Sequence, residues 1–164
     1  MNGWVFTSSI FKLEEVNQYN PDKDRKGSDG WGFEFADWLK PELERVGYKV
    51  PEFEPDTCGW SLKLPFDSYR LEITCMVIPA SSLSNRDELG LDSSDDCWQM
   101  WASSSGPSAQ GGLLKKMFGK PDPALVAQRD MKLAALNSQL ANIMASEPAI
   151  RLIDGEPEID SNDD

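Results

Sequence analysis

Tyr69-Arg70-Leu71-Glu72-Ile73-Thr74-Cys75-Met76-Val77-Ile78 is the stretch on which the reading of this chain turns. Leu71, Ile73, Cys75 and Val77 recur at every second position, and extended backbone sends alternate side chains to opposite faces. Those four therefore share one face, and the length of the run marks a central strand with neighbours on both sides. Upstream, Pro65-Phe66-Asp67-Ser68 is a turn signal, and Trp60-Ser61-Leu62-Lys63-Leu64 alternates as a second strand. Tyr48-Lys49-Val50 reads as a short strand joined to it by the turn-rich Glu54-Pro55-Asp56-Thr57-Cys58-Gly59, so the two are expected to form a hairpin. Downstream, residues 80–96 are rich in Ser and Asp and read as a loop, after which Cys97-Trp98-Gln99-Met100-Trp101 is a further strand. Trp4 to Ser9 supplies a first strand, which makes about five, and Ile150-Arg151-Leu152-Ile153 could add an edge strand.

Two helices flank these strands. Phe35, Leu39, Leu43 and Val46 repeat at helical spacing over about Trp31 to Val46, with Ser28 or Asp29 as the expected cap and Gly47 as the stop. Pro41 lies inside this helix, where it lacks an amide hydrogen and crowds the preceding turn, so a kink or break is expected near Leu39-Lys40. The second helix opens on Asp122-Pro123, a cap followed by proline at the first helical position. Its apolar pattern continues through Val126, Leu133, Leu136, Leu140, Ile143 and Met144 until Pro148 closes it. Between the first strand and the first helix, Ile10 to Lys26 turns polar around Asn20-Pro21-Asp22 and reads as a mobile loop. Leu113 to Phe118 reads as a short helix or an extended arm. Strands in meander order with one long helix toward each end imply an α+β domain, an antiparallel sheet with both helices on one face, over residues 1–153. Residues 154–164 carry six acidic and no basic side chains and are expected to remain a solvated, disordered tail.

Composition limits what such a domain does. With 164 residues, 40% of them hydrophobic, and six tryptophans, the chain has enough apolar surface for one core without a metal or disulfide. The formal charge is −12, and neither half of the chain is basic. Phosphate neutralisation and attraction to anionic lipid both require Lys and Arg, so nucleic acid and membrane surfaces are disfavoured as partners and a basic protein is favoured. The three cysteines, Cys58, Cys75 and Cys97, form no CxxC pair, and no apolar stretch is long enough to span a bilayer. A cytoplasmic protein is the expectation.

Catalytic motifs are sparse. The chain contains no histidine, which removes Ser-His and Cys-His pairs and His-ligated zinc. It has no phosphate-binding GxxxxGK[ST] loop, and Gly27-Ser28-Asp29-Gly30-Trp31-Gly32 reads as the loop leading into a helix. Asp92-Ser93-Ser94-Asp95-Asp96 lacks the glycine and the twelfth-position Glu of a calcium loop and reads as a solvated acidic loop. No cofactor, no metal and no enzymatic activity are expected, although a small carboxylate-dependent enzyme is a remaining alternative. Trp98 and Trp101 stand three apart, so a strand sends them to opposite faces, and one of them beside Asp95 and Asp96 would suit an aromatic anchor for a basic partner. The expected partner-binding surface is therefore Asp92, Asp95, Asp96 and Trp98, with Asp87 and Glu88 at its rim and the acidic tail as the competing site.

Phe35-Ala36-Asp37-Trp38-Leu39, Leu43-Glu44-Arg45-Val46-Gly47-Tyr48-Lys49-Val50 and Pro55-Asp56-Thr57-Cys58-Gly59-Trp60 resemble a group of small bacterial proteins. Lys116-Met117-Phe118-Gly119-Lys120 and Glu147-Pro148-Ala149-Ile150 are similar to the same group, though Thr57-Cys58 stands where that group has an Asp-Trp-Gly-Trp turn. These segments imply a shared fold and no activity. In size, acidity and lack of catalytic motifs the chain also resembles bacterial immunity proteins. That resemblance implies an inhibitor that neutralises a cognate toxin domain by direct contact; the alternative is a phage-encoded anti-defence inhibitor that mimics the charge of nucleic acid.

Overall fold

The computed structural model describes residues 3–11, 32–51, 53–56, 59–106 and 122–159. The strands are β1 (Gly3–Ser8), β2 (Phe53–Asp56), β3 (Gly59–Pro65), β4 (Arg70–Pro79), β5 (Asp96–Ser105) and β6 (Ile150–Ile153); the helices are α1 (Phe33–Arg45) and α2 (Pro123–Ser146). All six strands join one sheet in the order β2-β3-β4-β5-β1-β6, every pairing antiparallel. The chain is thus α+β, with one strand more than the expected five. β4 is interior, as its alternation requires: Leu71, Ile73, Cys75 and Val77 are all fully buried on the face shared with the helices.

Register fixes which neighbours share that face. Val77 lies opposite Trp98 and Trp98 opposite Phe6; Cys75 lies opposite Met100 and Trp60. Onto this layer α1 presses Phe35, Ala36, Leu39 and Leu43, and α2 presses Leu136, Leu140, Ile143 and Met144, a single apolar cluster. At its centre Phe6, Phe35 and Trp98 pack with Phe11, whose ring centroid stands 5.3 Å from that of Phe35 and 5.6 Å from that of Trp98. Tilted and edge-on pairs of this kind add to simple burial because ring edges meet ring faces. Phe11 belongs to the stretch expected to be polar and mobile; it is core, and residues 12–26 lie outside the described residues.

Several sequence expectations need correction. α1 starts at Phe33 behind Gly32, not behind a side-chain cap, and Ser28 and Asp29 lie outside the described residues. It continues through Pro41, which is exposed, without the expected break. Val46 is the C-cap and exposed rather than a core position. Beyond it the Gly47 amide donates to the Glu44 carbonyl and the Tyr48 amide to the Leu43 carbonyl, the paired closure that a glycine at this position permits. That closure occupies Tyr48 and leaves residues 48–50 outside the sheet. The hairpin partner of β3 is instead β2, in which Pro55 pairs with Trp60. β2 is the edge of the sheet, the place where a residue without an amide hydrogen is tolerated. By contrast α2 starts as expected, the Asp122 carboxylate accepting the Ala124 amide at 2.9 Å with proline at the first position. Leu113 to Phe118 lie outside the described residues.

Candidate functional site

The sheet face away from the helices is where the acidic segments gather. Residues 80–95 fold over one end of it. Ala80–Ser82 form a short 3-10 turn, and the loop then closes on itself through the Leu91 amide to the Arg86 carbonyl, the Leu89 amide to the Asn85 carbonyl and the Ala80 amide to the Asp95 carbonyl. Leu83, Leu89 and Leu91 turn inward and meet Ile78, Ala80 and Cys97, with Val5, Met76 and Ile153 against them, in a second small core. Burying each leucine stabilises by roughly 1.5–3 kcal/mol, so this loop is held by packing as a core element is. The sequence signal is those three leucines within a Ser- and Asp-rich run, 6 and 2 residues apart and so too few and too scattered to mark a helix or strand.

The acidic C-terminal segment lies along this loop. Leu83 and Ile159 form an antiparallel bridge, and the Ser84 amide and hydroxyl both donate to the Glu158 carbonyl. Asn85 clips the segment from both sides, its Oδ1 accepting the Glu158 amide and its Nδ2 donating to the Glu156 carbonyl, each at 2.9 Å. Arg151 of β6 reaches the Gly90 carbonyl. Residues 154–159 of the expected free tail are therefore tied down, because the backbone groups they would leave to water find partners in the loop; residues 160–164 lie outside the described residues.

Each expected surface residue now has a place. Asp87, Glu88 and Asp92 are exposed on the loop, and Asp95 and Asp96 are half-buried at its base. Asp87 faces Arg86 at 3.5 Å in solvent, a pair of little energetic weight. Asp95 has a structural task, its carboxylate accepting the Asp92 amide at 2.8 Å. Asp154, Glu156 and Glu158, treated as a rival site, lie beside these residues, so loop and tail make one acidic surface. Trp98 does not belong to it. At 1% exposure it stands in the main core on the helix face, and its register with Val77 and Phe6 keeps it there. Of the two, Trp101 is the partly exposed one, on the opposite face.

Reactive groups are few. Cys75 is fully buried and burial drives its thiol well above the usual range, while burial pushes the Cys97 thiol up to about 11. Neither forms an appreciable thiolate near neutral pH; Cys58 lies outside the described residues. Among the described residues no group of three or more Cys, Asp and Glu side chains is arranged to hold a metal ion. Glu72 is engaged by the Ser61 hydroxyl and Glu54 by Lys63. No helix among the described residues is long and apolar enough to cross a membrane. Compared with protein-family models, curated proteins and solved structures, the chain matches none of them.

Proposed function

We propose that this chain is an acidic inhibitor of the immunity type, acting in the cytoplasm by covering a basic toxin domain through direct protein–protein contact. The observation that carries this reading is the union of the two acidic segments: Asp87, Glu88, Asp92, Asp95 and Asp96 on one side, Asp154, Glu156 and Glu158 on the other, joined by hydrogen bonds from Ser84 and Asn85 to residues 71 to 74 positions away. A surface on which eight carboxylates outnumber Arg86 and Arg151 steers a basic partner and raises the association rate. The support here is the small core on which the loop packs.

The test is co-expression with the product of the adjacent gene. Rescue of cells from that product's toxicity, together with a one-to-one complex whose association slows as salt rises, is the expected result. Replacing Asp92, Asp154 and Glu158 with Asn, Asn and Gln should slow association by about tenfold at low salt and leave dissociation nearly unchanged, as rim charges do. Point substitutions are needed, since deleting residues 154–164 would also strip the partners of Ser84 and Asn85 from the loop. An adjacent product that is harmless, or a complex indifferent to salt and to these substitutions, overturns the reading. Blocked DNA loading by a nuclease complex would instead support the nucleic-acid charge mimic.

A further inference from the structure

On the face away from the helices, Gly3 of β1 pairs with Trp101 of β5. Glycine has no side chain, so the row carries a gap beside the indole. Residues 155–157 flank this gap and share with it an open slot of about 320 Å³, lined among others by Gly3, Gln99, Trp101, Gly155, Glu156 and Pro157. The volume is at the small end of ligand pockets, which run from about 300 to 1,000 Å³, and suits one side chain better than a nucleotide-sized molecule.

We propose that this slot receives an arginine side chain of the basic partner, an inference that rests on the acidic-inhibitor reading above. Three properties of the lining select that group. Trp101 lines the slot and is partly exposed, and an indole π-face attracts a cation lying over it. Among the described residues the lining has one ionisable side chain, the exposed Glu156, and no basic one. Gln99 adds an amide oxygen as a neutral acceptor. A guanidinium is planar, so it can stack on the indole while its fork of N–H donors reaches Glu156 and Gln99; a lysine ammonium can do only one of these well. The carboxylate is also presented from fixed backbone, because Asn85 Nδ2 donates to the Glu156 carbonyl. Slot and acidic surface thus share Glu156, the surface drawing a basic partner in and the slot setting its register.

The test uses the whole ¹⁵N-labelled protein titrated with acetyl-glycyl-arginyl-glycine amide, its lysine counterpart and its citrulline counterpart, the last a neutral isostere of arginine. Saturable shifts at the Trp101 indole N–H, the Gln99 side-chain amide and the Gly155 amide are expected with arginine, weaker with lysine and absent with citrulline. Gly3→Val fills the gap with a residue that strands favour. A Cβ at Gly3 would stand 3.3 Å from the Met100 carbonyl oxygen and 3.6 Å from the Trp101 Cβ, a contact that a small shift relieves. Glu156→Gln removes the charge alone. Each variant should weaken arginine binding by about fivefold while its spectrum elsewhere stays native. Shifts confined to Asp92, Asp95 and Asp96 with Trp101 silent would overturn the slot and leave the acidic-surface reading standing. Equal binding of citrulline would overturn cation recognition, and the absence of any shift would overturn the slot, while the co-expression assay decides the parent reading separately.

Discussion

Gly32 and Gly47 bracket α1 with positive φ angles of 99° and 95°, yet they answer to different constraints. A Cβ on Gly32 would stand 2.6 Å from the Cys75 carbonyl oxygen in β4, whereas one on Gly47 would meet nothing within 4 Å. Gly47→Ala should therefore cost only the left-handed backbone strain, about 1–2 kcal/mol, and Gly32→Ala that strain plus a backbone clash, so at least about 3 kcal/mol. Urea midpoints of the two variants check the order; equal losses would mean that the helix shifts freely away from β4. The buried thiols give a second test. The folded chain retains protons on Cys97 and Cys75 that the unfolded chain releases above the ordinary value of 9.0. The unfolded state then binds fewer protons, so the thiols' contribution to stability is constant below about pH 9 and falls above it, by up to about 1.4 kcal/mol per pH unit for each thiol. For Cys97 the fall ends near its folded value of about 11; for Cys75 it continues. Tyr48 and Tyr69, also raised by burial, act in the same direction only above about their ordinary value of 10.0. Urea unfolding followed from about pH 8 to about pH 10.5 should show this decline, with a shallower slope in Cys97→Ala. An unchanged slope would assign the decline to other groups.

The clip at Asn85 decides whether the loop and the acidic segment behave as one element. Asn85→Ala removes both of its bonds to residues 156 and 158, and should cost about 1–2 kcal/mol overall while sharply accelerating hydrogen exchange at the Glu158 amide. Unaltered exchange there would mean that the Leu83–Ile159 bridge alone holds the segment. Elements legible in the sequence were those whose signals are local. Asp122-Pro123 and a long apolar repeat announce α2, and strict alternation announces β4. The hairpin was misassigned because Tyr48 and Val50 look like strand residues, while the closure of α1 takes the Tyr48 amide and the core takes the Val50 side chain. The candidate site was legible only as composition. Its acidic residues could be named, and Trp98 and Trp101 could be assigned to opposite faces, but which face the helices cover depends on contacts distant in sequence. The meeting of residues 83–85 with 156–159 has the same origin, and no local pattern encodes it.

Across the molecule, a net charge of −12 means that folding gathers like charges, nowhere more than where residues 87–96 meet 154–158. Screening should therefore stabilise the fold: raising NaCl from about 10 to about 300 mM shortens the Debye length from about 30 Å to under about 8 Å and should raise Tm by a few degrees. A Tm that falls would show that attractive pairs such as Glu54–Lys63 outweigh the repulsion. The strand order carries a different consequence, one of timing. β2 to β5 pair each with the next along the chain, but β1 inserts between β5 and β6. Among the described strands Gly3–Ser8 is made well before either of its partners: Asp96–Ser105 follows some way along the chain, and Ile150–Ile153 about 45 residues later still, several seconds of synthesis at about 5–20 residues per second. Phe6, whose ring ends at the centre of the core, lacks its sheet neighbours for that interval, and the nascent chain offers chaperones a hydrophobic strand until they arrive.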